Sequence, residues 1–517
     1  MNDWPSPNAA AVAGPPRPSG AALAIALIGA LLALRLAFMP QPAVWIDEAF
    51  SLYHARHSLA HLWSVGWQLE SSPPLYYTLM WLWTHLFGTS EWAARLLSWL
   101  LITASTFFVF RTACWLSGPR AGALAAVLFA GHPLVFEYSL EIRPYSLLLL
   151  LITIAAWGFA RLIVQLEAGR LRTASGAAAY LAPIVLACVA LTYTHATAPA
   201  FLAALSATGA LYVLARQNRT PVWLGWAAAN LAVFVAILPQ IWVTLGVLGT
   251  NSAALSWIPK PTEIEWLSYV LRTLATGLHN VGATGVAAAI AAAVLGWAVW
   301  KMRDRPLVAI VGVVLPLFGL AALFVVSLIQ PVLMPRTAMW LTVPLCVTVG
   351  AALAALSWQR PAPWVASAAL VVMMTHLCIE SMDVRAAQRW WPAVIEAQAR
   401  EMRPGDEVVA IDDPEVLCVV DYYAAPPLRA ANRWILRTDE RYRPPQRIEL
   451  GCNTAPRIDV STLESRLSQG RGIWLLAVDR RQHVRIEALL RTLPKSVRIA
   501  RRIERDGRIA ALRLTVQ

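Results

Sequence analysis

The sequence predicts a mainly α protein: a polytopic bundle of transmembrane helices, about eleven of them, ending in a small extracytoplasmic α/β domain. Three observations lead there. The chain of 517 residues is 58% apolar and only 14% charged, whereas soluble domains carry about 25% charged residues. Apolar runs near the length of a membrane span, about 20 residues, recur through the first 380 positions. Beyond them charges become frequent and the apolar runs shorten to strand length.

Residues 1–20 are rich in proline and alanine, with Arg17 as the one basic side chain, and read as a cytoplasmic tail. The following apolar run lacks a clear small-residue cleavage site and leads into Met39-Pro40-Gln41-Pro42. It reads as a retained helix rather than a cleaved signal peptide. Eleven segments qualify as spans: 21–39, 94–116, 121–137, 145–165, 176–194, 197–215, 221–245, 282–300, 306–329, 337–357 and 363–380. They define a transmembrane domain over 21–380, whose first outer loop covers 40–93. From 381 to 517 the pattern changes to a small α/β domain. Glu407-Val408-Val409-Ala410-Ile411 and Ile473-Trp474-Leu475-Leu476-Ala477-Val478 read as buried strands, with helix-like stretches at 390–403 and 463–469.

The net charge of +13 does not make this a nucleic-acid binder. No basic cluster with interleaved aromatics occurs in the first 380 residues, the footprint such binding requires. Its arginines instead stand singly or in twos and threes between apolar runs. With a cytoplasmic N-terminus, one side of the bundle collects Arg111, Arg120, Arg161, Arg170, Arg172, Arg216, Arg219, Lys301, Arg303, Arg305 and Arg360. The other side collects Asp47, Glu48, Glu70, Glu91, Glu137, Glu141, Glu263 and Glu265. Basic residues in short loops mark the cytoplasmic face, so the acidic side is outside. An odd number of spans then places 381–517 outside as well, beyond a plasma (inner) membrane. Cys114, Cys188, Cys346 and Cys378 fall in predicted helices and serve as small apolar residues. Cys418 and Cys452 share the outer domain and are available to pair, although spacing alone does not bring them together.

Several polar residues then stand out. Asp47 and Glu48, between Trp45 and Phe50, are adjacent carboxylates at the membrane boundary, costly to hold there without a use. A transferase acting on a hydroxyl needs a base for the departing proton, and one of the two suits that role; a solvated helix cap is the plain alternative. The second outer loop reads Glu137-Tyr138-Ser139-Leu140-Glu141-Ile142-Arg143-Pro144-Tyr145. Pro144 opens the next helix, where its missing N–H costs little. Glu141 and Arg143 stand at that helix N-terminus, an anion seat, or else pair with each other. His195, in Leu191-Thr192-Tyr193-Thr194-His195, and Arg336, in Pro331-Val332-Leu333-Met334-Pro335-Arg336-Thr337, are further candidates for a phosphate. Their alternatives are an interfacial structural histidine and a snorkelling arginine. Glu91 and Arg95 read as a cap and its salt-bridge partner, while Arg35, inside the first span, calls for a partner that the sequence does not identify.

No glycine-rich phosphate loop and no GxGxxG after a strand occurs, so a nucleotide donor on a Rossmann-like domain is unsupported. Histidines and cysteines lack zinc-type spacing. A divalent cation could sit among Asp47, Glu48 and Glu141, but nothing in the sequence calls for one, and no cofactor is required.

Taken together, these motifs resemble the GT-C membrane glycosyltransferases, in particular the branch of dolichyl-phosphate-mannose–protein mannosyltransferases and bacterial lipid A aminoarabinose transferases. The resemblance covers roughly 20–360. It rests on Asp47-Glu48 after the first helix, Pro73-Pro74-Leu75-Tyr76-Tyr77, Phe87-Gly88-Thr89-Ser90-Glu91 with Arg95, Glu141-Ile142-Arg143-Pro144-Tyr145, and Thr194-His195. It implies a polyprenyl-phosphate-sugar donor, an active site on the outer face and a carboxylate in the first loop as base; the mechanism expected from these is one displacement with inversion, to a hydroxyl of a lipid, glycan or protein acceptor. The implied base is Asp47, with Glu48 beside it and Glu141 at the acidic position of the second outer loop; Arg143, His195 and Arg336 are the implied contacts to the donor phosphate. Arg336-Thr337 departs from the Arg-Tyr common in relatives, which leaves Arg336 the weakest transfer. Two other classes make different demands on the sequence. A secondary transporter would place its acids at the bilayer midplane within repeated halves, which the interfacial acids do not suggest. A non-catalytic scaffold would tolerate neutral substitutions at Asp47 and Glu48.

Overall fold

The computed structural model describes residues 18–516 except 41–42, 68–71, 172–173, 216–219, 252–257, 278–280, 360, 389–390, 412–415, 425, 430, 437–454, 477–479 and 506–507. The chain forms two compact units, Met1–Met39 with Leu62–Asp383, and Pro40–His61 with Val384–Gln517.

The first unit is helical among its described residues. Five helices are long and apolar enough to cross a membrane: Glu91–Ser117, Tyr145–Glu167, Val222–Gly246, Pro306–Ile329 and Pro335–Ala354. Six shorter apolar helices accompany them: Leu23–Phe38, Pro119–Gly131, Gly176–Thr192, Ala198–Leu214, Ala288–Lys301 and Val371–Met382. Each overlies one predicted span, and the chain is a multi-pass membrane protein. Large apolar side chains such as Leu186, Leu231, Trp242, Val286, Leu317 and Ile329 stand exposed. Exposed apolar side chains of this size suit a lipid-facing surface. The helices Tyr145–Glu167 and Pro335–Ala354 are instead mostly buried and form the centre of the bundle. Small residues allow the close approach there: a Cβ at Gly350 would come 2.7 Å from the Ala125 backbone nitrogen.

Three local departures follow from proline and amphipathicity. The span expected over 121–137 breaks into Pro119–Gly131 and Pro133–Tyr138, because the residue before a proline is driven out of the α region and His132 is extended at ψ 122°. The Pro306–Ile329 span opens into a π-turn over Ile310–Val314, just before Pro316, a common way to relieve a proline's missing donor. The helix Ile264–Thr276, amphipathic and 13 residues long, is short of the about 20 residues that a span needs.

The second unit is built on a six-stranded sheet. Its strands are β1 (Glu407–Ile411), β2 (Arg433–Leu436), β3 (Arg457–Ile458), β4 (Ile473–Leu476), β5 (Val497–Arg505) and β6 (Arg508–Val516), in the order β3-β2-β1-β4-β6-β5. β1 pairs in parallel with β2 and β4, and β2 with β3; β6 is antiparallel to β4 and β5. Both predicted strands, β1 and β4, lie at the centre and are buried throughout, which explains their continuous rather than alternating apolar runs. The predicted helical stretches appear as Trp391–Glu401 and Val460–Ser468. Asp459 caps the latter by accepting the Thr462 N–H at 2.7 Å; the Thr462 side chain first, and then that N–H, hold its carboxyl down to about 2. At the sheet's end Arg513 grips Asp406 through two bonds of 2.7 and 2.8 Å. Cys418 is disulfide-bonded; Cys452 lies outside the described residues. Cys114, Cys188, Cys346 and Cys378 are free thiols.

The segment 40–61 is packed into this second unit. Its helix Ile46–His54 lies against the helix Val416–Tyr423. The Val44 N–H donates to the Tyr423 hydroxyl at 2.6 Å, and the Val44 carbonyl accepts from Trp391 Nε1 at 2.8 Å.

Candidate active site

The buried stretch 137–145 is the centre of the polar cluster in the first unit. Every residue from Glu137 to Tyr145 is buried, so its backbone has to be fixed by partners rather than by water. The Ser98 hydroxyl donates to the Glu141 carbonyl at 2.6 Å, and the Ser146 hydroxyl donates to the Tyr138 carbonyl at 3.0 Å. Arg35, whose partner the sequence left open, donates to Ser139 Oγ at 2.8 Å and to the carbonyls of Ala130 and Leu31 at 2.6 and 2.9 Å. Its guanidinium also lies 4.8 Å from the centre of the Phe136 ring. A charge inside the first span therefore braces the loop that carries Ser139. Arg95 is buried as well, donating to the Met39 carbonyl at 2.6 Å and pairing with Glu91 at 3.4 Å; Ser90 rather than Glu91 is the side-chain cap of that helix.

Four of the six expected site residues, Glu141, Arg143, His195 and Arg336, come together around this stretch. Arg143 Nη1 donates to the Tyr77 hydroxyl at 3.4 Å. Tyr77 lies on the helix Leu75–Phe87, whose first N–H, from Leu75, donates to the Tyr193 carbonyl at 2.9 Å. The same turn carries His195, whose ring lies 5.5 Å from that of Tyr145. His195 Nδ1 accepts the Thr197 N–H at 3.2 Å, with Thr197 Oγ1 at 2.8 Å. That assigns the proton of the neutral ring to Nε2. Burial, and then the positive charges of Arg143 and Arg336, push its pKa down to about 3. Burial, followed by the charges of Glu137 and Glu141, raises the Tyr138 hydroxyl well above its ordinary value, with Arg336 opposing. Two carboxylates, two guanidiniums and a neutral imidazole thus share one electrostatic neighbourhood.

Asp47 and Glu48 occupy the first turn of Ile46–His54, in the second unit. Glu48 is fully buried, and its Oε2 accepts the Trp45 N–H at 3.2 Å, so it caps the helix without being solvated. Asp47 is half-buried. Neighbouring positions on a helix point about 100° apart, so the two carboxylates face different directions.

Sequence reasoning did not select Tyr77, Tyr138, Tyr145 or Glu137. Tyr77 was present in the Pro-Pro-Leu-Tyr-Tyr motif and Glu137 one helical turn before Glu141, but neither carries a local mark of function. Tyr269, on the helix Ile264–Thr276, also adjoins the group: burial and then the charge of Glu137 raise its hydroxyl. Among the described residues no three His, Cys, Asp or Glu side chains are placed to hold a metal ion. Chemically, the cluster offers cationic and neutral donors for an anion, with carboxylates beside them to accept hydroxyl protons.

This architecture is that of a polytopic membrane protein. It is similar to that of ArnT from Cupriavidus metallidurans, both in the apo state and bound to undecaprenyl phosphate. Each likeness has a TM-score of 0.60 at 14% identity and covers 96% of this chain and 98% of that one. Residues 71–173, which carry Tyr77, Glu137, Glu141 and Arg143, match the family model of dolichyl-phosphate-mannose-protein mannosyltransferase. No curated protein matches the sequence.

Proposed function

We propose that the chain is a membrane glycosyltransferase that takes its sugar from a polyprenyl-phosphate donor and passes it, with inversion, to an acceptor hydroxyl. The observation that carries this reading is the convergence of Arg143, Arg336 and a neutral His195 with two buried carboxylates. The likeness to an ArnT bound to undecaprenyl phosphate supports it. In this reading the protein sits in the plasma (inner) membrane, with its N-terminus cytoplasmic and its site on the outer face.

Asp47 acts as the base. It takes the acceptor hydroxyl proton as that oxygen attacks the anomeric carbon, and the bond from carbon to phosphate oxygen breaks with its electron pair going to the phosphate. That leaving group is already a stable anion, so no general acid is needed. Arg143, Arg336 and the Nε2–H of His195 bind the phosphate and stabilise its growing charge, a contribution of about 2.7–4 kcal/mol for a well-placed donor. Glu141 orients the sugar or acceptor hydroxyls, and Glu48 fixes the turn that presents Asp47.

Purified protein should move sugar from a polyprenyl-phosphate donor, with Asp47→Asn losing most turnover while keeping wild-type thermal stability. Unchanged transfer in Asp47→Asn would remove Asp47 as the base. Mass spectrometry of envelope glycolipids and glycans with and without the gene should reveal one missing sugar increment.

A further inference from the structure

A single guanidinium framed by aromatic rings lies at the other end of the helix that Tyr145 opens and plays no part in the proposed transfer. Tyr145 opens the helix Tyr145–Glu167 beside the site, and Arg161 is sixteen residues further along, about 24 Å away at the helical rise. The Arg161 guanidinium lies 4.5 Å from the Trp157 ring centre, 4.8 Å from that of Tyr180 and 5.9 Å from that of Trp115. These rings come from three helices: Trp115 near the end of Glu91–Ser117, Trp157 on the helix of Arg161 itself, and Tyr180 near the start of Ala174–Thr192. All three helix ends lie on one side, because the chain reverses between them.

Aromatic faces hold a guanidinium by its flat sides and leave its N–H edge for an anion. Among the described residues Arg161 has no hydrogen bond and no carboxylate partner. The indole N–H of Trp157 in the same cluster is buried without an acceptor. Arg161, Trp115, Trp157 and Tyr180 are all half-buried, so the cluster opens to its surroundings at the end of apolar spans. Aromatic and basic residues at that depth meet lipid headgroups.

We propose that Arg161, framed by Trp115, Trp157 and Tyr180, is a binding site for the phosphate of an anionic phospholipid. A planar fork suits a phosphodiester, the apolar helices around it suit the acyl chains, and the missing carboxylate leaves the positive charge for the ligand. A soluble phosphate would satisfy the same donors but gains nothing from the apolar surroundings.

The test is native mass spectrometry of the full chain purified in detergent and offered equimolar phosphatidylglycerol and phosphatidylcholine. The wild type should retain phosphatidylglycerol about fivefold better, the scale of one arginine at an anionic surface. Arg161→Gln, with its thermal unfolding checked against the wild type, should lose that preference. Equal retention of the two lipids by the wild type would overturn the site without recourse to any variant. So would an undiminished preference in folded Arg161→Gln. Loss of the bound lipid to excess inorganic phosphate would reassign the site to a soluble anion.

Discussion

At the residue scale, His195 shows how surroundings set the chemistry of a side chain. An imidazole near phosphate could work as a cation or as a neutral donor. Here its Nδ1 is occupied by Thr197, and burial beside two arginines holds its pKa at about 3. Above that value the ring stays neutral and presents Nε2–H. Transfer by the wild type should therefore show no inflection at the ordinary histidine value of about 6.5. His195→Ala should lower turnover by about a hundredfold, the effect of removing one oxyanion donor, and His195→Gln, which keeps an N–H, by less. A pH–rate profile with an acid limb near 6.5 that vanishes in His195→Gln would contradict the neutral assignment. Arg35 carries the complementary lesson: among the described residues, a buried arginine in a span finds serine and backbone carbonyls as partners, not a carboxylate.

At the scale of elements, the site depends on how two short helices meet. Ile264–Thr276 ends at Gly277, which adopts φ +75°. A Cβ there would lie 2.5 Å from Pro133 Cβ and 2.7 Å from the Leu134 nitrogen. Only glycine serves both the left-handed turn and this close approach. Next to it, His132 Nε2 bonds the Leu274 carbonyl at 3.1 Å, holding the two helices where Tyr269 adjoins Glu137. Gly277→Val should cost roughly 1–3 kcal/mol from its backbone conformation alone, read as a lower thermal midpoint. It should also reduce transfer more than an equally destabilising change on a lipid-facing helix. These helices explain part of what the sequence left unread: Ile264–Thr276 is amphipathic and only 13 residues long, and its function lies in what it touches.

At the scale of the whole molecule, the membrane unit and the sheet-bearing unit are stabilised differently. The first unit surrounds its charges with apolar helices, whereas the second buries the Asp406–Arg513 pair at its sheet. Burial pushes the Asp406 carboxyl up, but bonds from Arg513, the Arg403 N–H and Trp474 outweigh it and hold it below its ordinary value. A carboxyl lowered in the folded state contributes its full stability above the unfolded value of about 3.9 and loses it as pH falls through the folded one. Amide exchange in β1, β4 and β6 should stay slow down to about pH 4 and accelerate below it. Asp406→Ala, which strands Arg513, should cost roughly 3–5 kcal/mol and speed exchange in those strands even at neutral pH. An unchanged exchange pattern in that variant would show that the pair does not hold the sheet.

The membrane class, the eleven apolar segments and the two central strands were all legible in the sequence. Hydrophobic length and composition are local quantities, and a membrane enforces them segment by segment. The order of the six strands, the packing of 40–61 with the residues beyond 384, and the gathering of Glu137, Glu141, Arg143, His195 and Arg336 were decided only by the tertiary structure. They arise from contacts between positions far apart in the chain, where each residue's partner is fixed by how the helices and strands pack.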